Sequence, residues 1–342
     1  MRALIWDVHG TYTDALLGCG FEVCFLRSDG PGSSEGQGST PGQGSGQTSD
    51  RRFPGFTRRA VAAGESVRFL TPAQARDDPP DVVIAQRVDE VAVLEELFGD
   101  RLGRSVGAVF LEHNTPRADV PDSRHPLADR AGWTIVHVTW FNQLFWDCGT
   151  SRTVVIEHGL PDPGLRYRGT EDRLAFVVNE PVRRWRVTGT DLLPWFAAHP
   201  VDAFGIDGQL LPDVLGDRCP RLAFAGNLSP AELRDALVTR RAYLHLNRWT
   251  SLGLSLIEAM LLGLPAVVLE TTEAARAVPT GAGVRSTDPR ELVEGAARLL
   301  ADPAHAAACG RRARAHALDR YGFDRFRGDW HRLLADVASH PR

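Results

Sequence analysis

The rhythm in which short apolar runs alternate with segments of helical period constrains this chain most. Runs rich in Val, Ile, Leu and Phe, broken by Gly, Pro and Asp, predict strands at Ala3–His9, Phe21–Arg27, Val67–Leu70, Asp81–Gln86, Val106–Leu111, Thr134–Thr139 and Val154–Glu157. Several are apolar throughout, as in Val82-Val83-Ile84-Ala85. Strands of a parallel sheet have helices on both faces, so they read as continuous apolar runs and not as alternation. The pattern then repeats, with predicted strands at Leu174–Asn179, Val201–Ile206, Leu222–Ala225, Ala242–Leu246 and Ala266–Leu269. Helices are predicted over Asp191–Ala198, Pro230–Arg240 and Ser255–Leu262, and three more, Pro289–Leu300, His305–Arg320 and Asp324–Val337, follow them. Strands that alternate with helices predict α/β architecture.

Two such series in 342 residues predict two Rossmann-like doubly wound domains. Pro161-Asp162-Pro163-Gly164 is the best linker, which puts the domains at 1–165 and 166–322, with a closing helix over 323–342. Ser28–Asp50 has no apolar residue to bury and is predicted to be a disordered loop.

Composition narrows the function. Hydrophobic residues make up 43% and charged residues 24%, as in a soluble globular protein. No apolar run is long enough to span a bilayer, and the N-terminal apolar stretch stops at Asp7, so a cytoplasmic protein is expected. The net charge of -4 offers no basic footprint for nucleic acid. The five cysteines form no C-x-x-C, so neither a metal site nor a disulfide framework is read. All 39 basic residues are Arg, so any cationic phosphate ligand is a planar guanidinium.

Familiar sites are missing. No G-x-G-x-x-G follows a strand, and a G-x-x-x-x-G-K-[ST] loop is impossible without Lys. Asp77-Asp78-Pro79-Pro80-Asp81 has D-D-x-x-D spacing, but its prolines make it a turn before a strand.

The richest stretch runs from Gly226 to Glu273. It reads strand end, turn, helix, strand, loop, helix, strand. Thr250-Ser251-Leu252-Gly253 precedes a helix, so its backbone N–H groups and the helix dipole make an anion site. Glu258 lies one turn inside that helix, where its carboxylate can accept hydrogen bonds from a ribose diol. Ser255-Leu256-Ile257-Glu258 is equally an S-x-x-E capping box, which would make Glu258 structural.

These residues resemble a family 4 glycosyltransferase of the GT-B type, in an actinobacterial-type variant subgroup. The family reads G-x-v-x-x-E-E-L, then P-S-x-x-E-G-F-G-L-x-x-x-E-A-M-A-x-G-x-P-V-V. This chain has Gly226-Asn227-Leu228-Ser229-Pro230-Ala231-Glu232-Leu233, then Thr250-Ser251-Leu252-Gly253-Leu254-Ser255-Leu256-Ile257-Glu258-Ala259-Met260 and Gly263-Leu264-Pro265-Ala266-Val267-Val268. The resemblance implies that Glu258 holds the nucleotide ribose. The first acid of the family motif is replaced here by Thr250. Val155-Ile156-Glu157-His158-Gly159 resembles V-I-P-N-G, and Arg183–Leu193 resembles G-R-x-x-x-x-K-G-x-D-L-L. That places Arg183 on the diphosphate-binding Arg and Thr188 on the Lys, with Arg186 a candidate replacement for the Lys. His113, closing a strand, falls on a His that contacts the transferred sugar, although a His there is as readily structural. His9-Gly10-Thr11 falls on a loop that faces the donor phosphates and the acceptor.

The resemblance implies two domains facing a cleft. It also implies retaining, metal-independent transfer of a sugar from a nucleotide-diphosphate sugar to a small-molecule, lipid or glycan acceptor, with no cofactor. Leu252, Gly253 and Leu254 would line the donor site with Gly226, Thr250 and Ser251. A sugar-nucleotide-binding protein without transfer, motivated by Thr250, and a sugar-nucleotide epimerase are the alternatives.

Overall fold

The computed structural model describes residues 1–8, 10–26, 67–116 and 122–339. His9 and the predicted loop 28–50 lie outside them. The chain divides into two compact units. One comprises Met1–Val138, Phe145–Ile156 and Arg327–Arg342; the other comprises Thr139–Leu144 and Glu157–Phe326.

The first unit is built on a seven-stranded sheet. Its strands are β1 (Arg2–Ile5), β2 (Glu22–Leu26), β3 (Val67–Leu70), β4 (Val82–Ala85), β5 (Gly107–Glu112), β6 (Trp133–His137) and β7 (Arg152–Val155), in the order β3-β2-β1-β4-β5-β6-β7. Every pairing is parallel. Its helices are α1 (Gly10–Leu17), α2 (Pro72–Asp77) and α3 (Val88–Phe98), and α4 (Trp140–Phe145) follows β6. All four residues of β4 are buried, as the continuous apolar run requires. One core cluster packs Leu4, Val83, Ala108 and Ile135 of the central strands against Val91 and Leu94 of α3. The Asp-rich turn is structural: the Arg2 guanidinium bonds Asp78 through two nitrogens, and Asp81 accepts the Arg2 N–H at 2.7 Å.

The second unit repeats the scheme with six strands. They are β8 (Glu171–Val177), β9 (Val201–Phe204), β10 (Leu222–Gly226), β11 (Arg240–His245), β12 (Ala266–Leu269) and β13 (Gly283–Ser286), in the order β10-β9-β8-β11-β12-β13. All are parallel. The helices are α5 (Pro181–Thr188), α6 (Leu211–Leu215), α7 (Pro230–Leu237), α8 (Leu254–Leu262), α9 (Ala274–Ala277), α10 (Pro289–Ala301) and α11 (Pro303–Tyr321); α12 (Phe323–Ser339), most of which belongs to the first unit, closes the chain. Two core clusters lie on opposite faces of the sheet, one holding Tyr243, Ile257 and Met260, the other Leu244, Leu292 and Leu299.

Both sheets have the 3-2-1-4-5-6 order of a doubly wound fold, so the predicted fold class is correct. Two local expectations change. Asp191–Ala198 forms a 3-10 helix, Thr190–Phe196, because Pro194 removes a helical donor. β13 went unpredicted because Gly283-Val284-Arg285-Ser286 has no apolar run.

Candidate functional site

In an open parallel sheet, ligands bind beyond the C-terminal strand ends, where the strand order reverses. In the second unit that point lies between β8 and β11. The segment after β8 carries Arg183, and the segment after β11 carries Thr250–Gly253. The two are joined: the Arg248 N–H donates to the Val187 carbonyl at 2.9 Å, and the Arg248 guanidinium to the Arg186 carbonyl at 2.9 Å. Arg248 also bonds Asp191 at 2.5 and 2.9 Å, and Arg186 bonds the same carboxylate at 3.0 Å. Asp191 therefore ties α5 to the loop.

Gly253 is the N-cap of α8, and no side chain caps the helix. By contrast, Thr71, Ser229, Asp288 and Asp302 cap α2, α7, α10 and α11 through their side chains. The capping box read over Ser255–Glu258 does not form. Ser255 sits inside the first turn, and its Oγ accepts from the Tyr243 hydroxyl at 2.8 Å. Glu258 is left with no hydrogen-bond partner among the described residues. Its carboxyl is pushed above the usual range by burial, and the Arg234 charge opposes that shift. Leu252 is buried, while Thr250, Ser251, Gly253 and Leu254 are partly exposed. Gly226 ends β10 with φ +126, a conformation that favours glycine, and α7 follows it. Glu232, the acid of the first motif, closes a capping box with Ser229.

Arg183 is 69% exposed and holds Glu180 through two bonds of 2.7 and 2.5 Å. The backbone is strained here, with φ +53 at Glu180 and +26 at Trp185. Thr188, on the family's Lys position, is fully buried and bonds Thr190, so it presents nothing to a ligand. Arg186 is exposed.

In the first unit the order reverses between β1 and β4. Gly10 and Thr11 open α1 after β1, Gln86 follows β4, and His113 follows β5. His113 Nε2 lies 3.0 Å from Gln86 Oε1, and Tyr12 of α1 meets the imidazole edge-on, with centroids 4.9 Å apart. Gln86 in turn donates to the Trp6 carbonyl at 2.6 Å. Three strand ends thus bring His113 to the start of α1. Gln86, Tyr12, Arg248 and Asp191 were not singled out in the sequence.

Residues 220–316 match the family model for glycosyl transferases group 1. The match covers Gly226, Thr250–Gly253 and Glu258 and stops short of Arg183. No curated protein matches the chain. Solved structures share the fold. Sucrose-phosphate synthase from Thermosynechococcus elongatus is 15% identical over 99% of each chain, with a TM-score of 0.71. Anabaena Alr3699/HepE, in complex with UDP and glucose, is 13% identical over 98% of this chain and 100% of that one, also at 0.71. Staphylococcus aureus TarM, a G117R mutant in complex with Fondaparinux, alpha-GlcNAc-glycerol and UDP, is 12% identical at 0.58, over 74% of this chain. The chain spans 55% of TarM. Two parallel-sheet α/β units matching these proteins define the GT-B architecture.

Proposed function

We propose that this protein transfers a sugar, with retention and without a metal, from a nucleoside-diphosphate sugar to an acceptor. The observation that carries the reading is Glu258, a desolvated carboxylate without a protein hydrogen-bond partner among the described residues, on the helix whose N-terminus no side chain caps. A ribose diol gives that carboxylate two donors. A diphosphate gives the free amides of α8 an anion. The family match over the same residues supports both assignments.

In the proposed reaction, the bond between C1 of the sugar and the distal phosphate oxygen breaks. The acceptor oxygen bonds C1 on the same face, and its proton passes to the departing phosphate. Arg183 and the amides of the 250–254 segment stabilise the charge that grows on the diphosphate, with Arg186 beside them. In the first unit, His113 and the Gly10–Thr11 turn are the proposed groups for the sugar hydroxyls and the acceptor. His9 belongs with them by sequence.

A second reading, nucleotide-sugar binding without transfer, is favoured by one observation, the hydroxyl of Thr250 where the family has an acid. One experiment addresses both. Thermal stabilisation by UDP, GDP, ADP, TDP and CMP, with and without magnesium, identifies the base. The matching nucleotide sugars are then followed for release of the nucleoside diphosphate. The neighbours solved with UDP make UDP the first base to test. Saturation at about 100 times Kd adds roughly 2.7 kcal/mol of stability. A shift lost in Arg183→Ala and Glu258→Ala supports the donor site; a shift with no product release from any sugar supports the second reading. No shift with any nucleotide refutes both.

A further inference from the structure

β11 ends in His245, directly beneath the turn that leads into α8. The side chain is 6% exposed. It has no hydrogen-bond partner among the described residues, and burial alone pushes its imidazole down to about 4. At neutral pH the ring is therefore uncharged, with one N–H to donate.

The ring is aimed at the turn. A Cβ placed on Gly253 would lie 2.9 Å from His245 Cε1, 3.7 Å from Asn247 Nδ2 and 3.7 Å from Ser255 Oγ. Cε1 is the carbon between the two ring nitrogens, so the imidazole turns its polar edge to Gly253. Three polar side chains, from the strand end, the loop and the first helical turn, converge on one glycine. Gly253 has φ -74, which any residue adopts, so space and not conformation demands glycine there. Ser255 accepts from Tyr243, which leaves the serine O–H as a second donor.

An imidazole with no protein partner leaves its N–H for water or for a ligand. On the donor-site reading above, the missing group is an oxygen of the ligand. We propose that His245 is a further binding residue of this site. Its imidazole N–H hydrogen-bonds the distal phosphate oxygen seated on the α8 amides, and Gly253 keeps that path open. The family match spans His245, but the motifs that carried the resemblance do not include it.

The test is calorimetric titration of the full chain with UDP, UMP and uridine, or the same series on whichever base binds. The variants are His245→Leu, His245→Gln and Gly253→Ala. A lost hydrogen bond to a charged oxygen weakens the diphosphate about 10- to 100-fold. His245→Leu is expected to show that loss for UDP while uridine changes little, and His245→Gln, which keeps an N–H, to recover part of it. Gly253→Ala is expected to reproduce the loss with His245 in place, so the test survives a His245→Leu chain that does not fold. Equal weakening of all three ligands, or a changed Tm with unchanged affinities, makes His245 a packing residue and overturns the inference alone. A wild-type chain that binds no nucleoside diphosphate overturns the donor-site reading, and this inference with it.

Discussion

Glu258→Gln separates a binding carboxylate from a structural one, because the two roles predict opposite signs on stability. In the ligand-free protein the carboxylate is desolvated, has no hydrogen-bond partner among the described residues, and is opposed only at a distance by Arg234. Glu258 is partly buried, so its charged form carries part of a desolvation penalty that a neutral side chain avoids. Glutamine has nearly the same shape and no charge. The variant should therefore be more stable, by about 1 kcal/mol, which for a unit of this size raises Tm by about 2–4 °C. The pH dependence follows from the direction of the shift. Burial raises this carboxyl above its ordinary 4.5, so the native state favours the protonated form. Wild-type stability is full below the ordinary value and falls as pH rises through the folded one, so the variant's advantage appears at neutral pH and disappears near pH 4. Ligand binding should move the other way. Two hydroxyls donating to a carboxylate are worth about 1.5–3 kcal/mol each. Glutamine still accepts, so a net loss of about 2–3 kcal/mol is expected, roughly 30- to 140-fold in Kd. Scanning calorimetry and titration read the two effects, and 2′,3′-dideoxy nucleotides add a control that wild type should reject and the variant should not. A variant that melts lower and binds unchanged would refute the reasoning and return Glu258 to the scaffold.

Other perturbations test other parts. Gly310→Ala should destabilise by about 2–3 kcal/mol, because its Cβ would lie 1.9 Å from the Gly263 carbonyl oxygen, backbone that cannot move aside; an unchanged urea midpoint would contradict this. His137 is fully buried and its imidazole is pushed down to about 3 by burial, with the neighbouring His125 adding to the shift. Its contribution is present above pH 6.5 and lost as pH falls, about 2–3 kcal/mol by pH 4.5, and urea titrations of His137→Leu should show a flatter dependence over that window. Arg183→Ala should leave Tm within error, since Arg183 and its partner Glu180 are both exposed, while weakening the nucleoside diphosphate and not the nucleoside; equal loss for both ligands in titration would place Arg183 elsewhere.

The strands plainest in the sequence are those buried on both faces. β4 and β12 sit inside continuous apolar runs, and a run of that kind has few other uses. β13 escaped because Gly283-Val284-Arg285-Ser286 holds a single apolar side chain, whereas the edge strands β3 and β10 carry enough apolar residues to be read. The helix expected over Asp191–Ala198 failed at Pro194, a rule visible in the sequence but outweighed by the periodicity. Spacing alone could not decide Ser255–Glu258. The pattern S-x-x-E fits a cap and a binding helix equally. The decision came from where the helix starts, at Leu254, two residues too early for Ser255 to cap it.

The same physics explains which site residues stayed hidden. Arg183, Gly253 and Glu258 stand in a motif whose order is linear, so the sequence displays them. His245 lies between Leu244 and Leu246, and in a buried strand an isolated histidine reads as core. Its meaning depends on Gly253, eight positions later, returning over the strand end to leave the ring edge uncovered. Thr188 shows the converse. It occupies a motif position for a cation, yet the fold buries it against Thr190, and the charge beside the loop comes instead from Arg248, held by Asp191. In a chain without lysine the side chain that stays cationic at neutral pH is the guanidinium, and this unit sets Arg248 in the loop that leads to the uncapped end of α8. In the proposed donor site the guanidinium, the amides and Glu258 hold the nucleotide without an acid at position 250. On that proposal the change from an acid to Thr250 bears on the sugar, and that is where transfer and mere binding part.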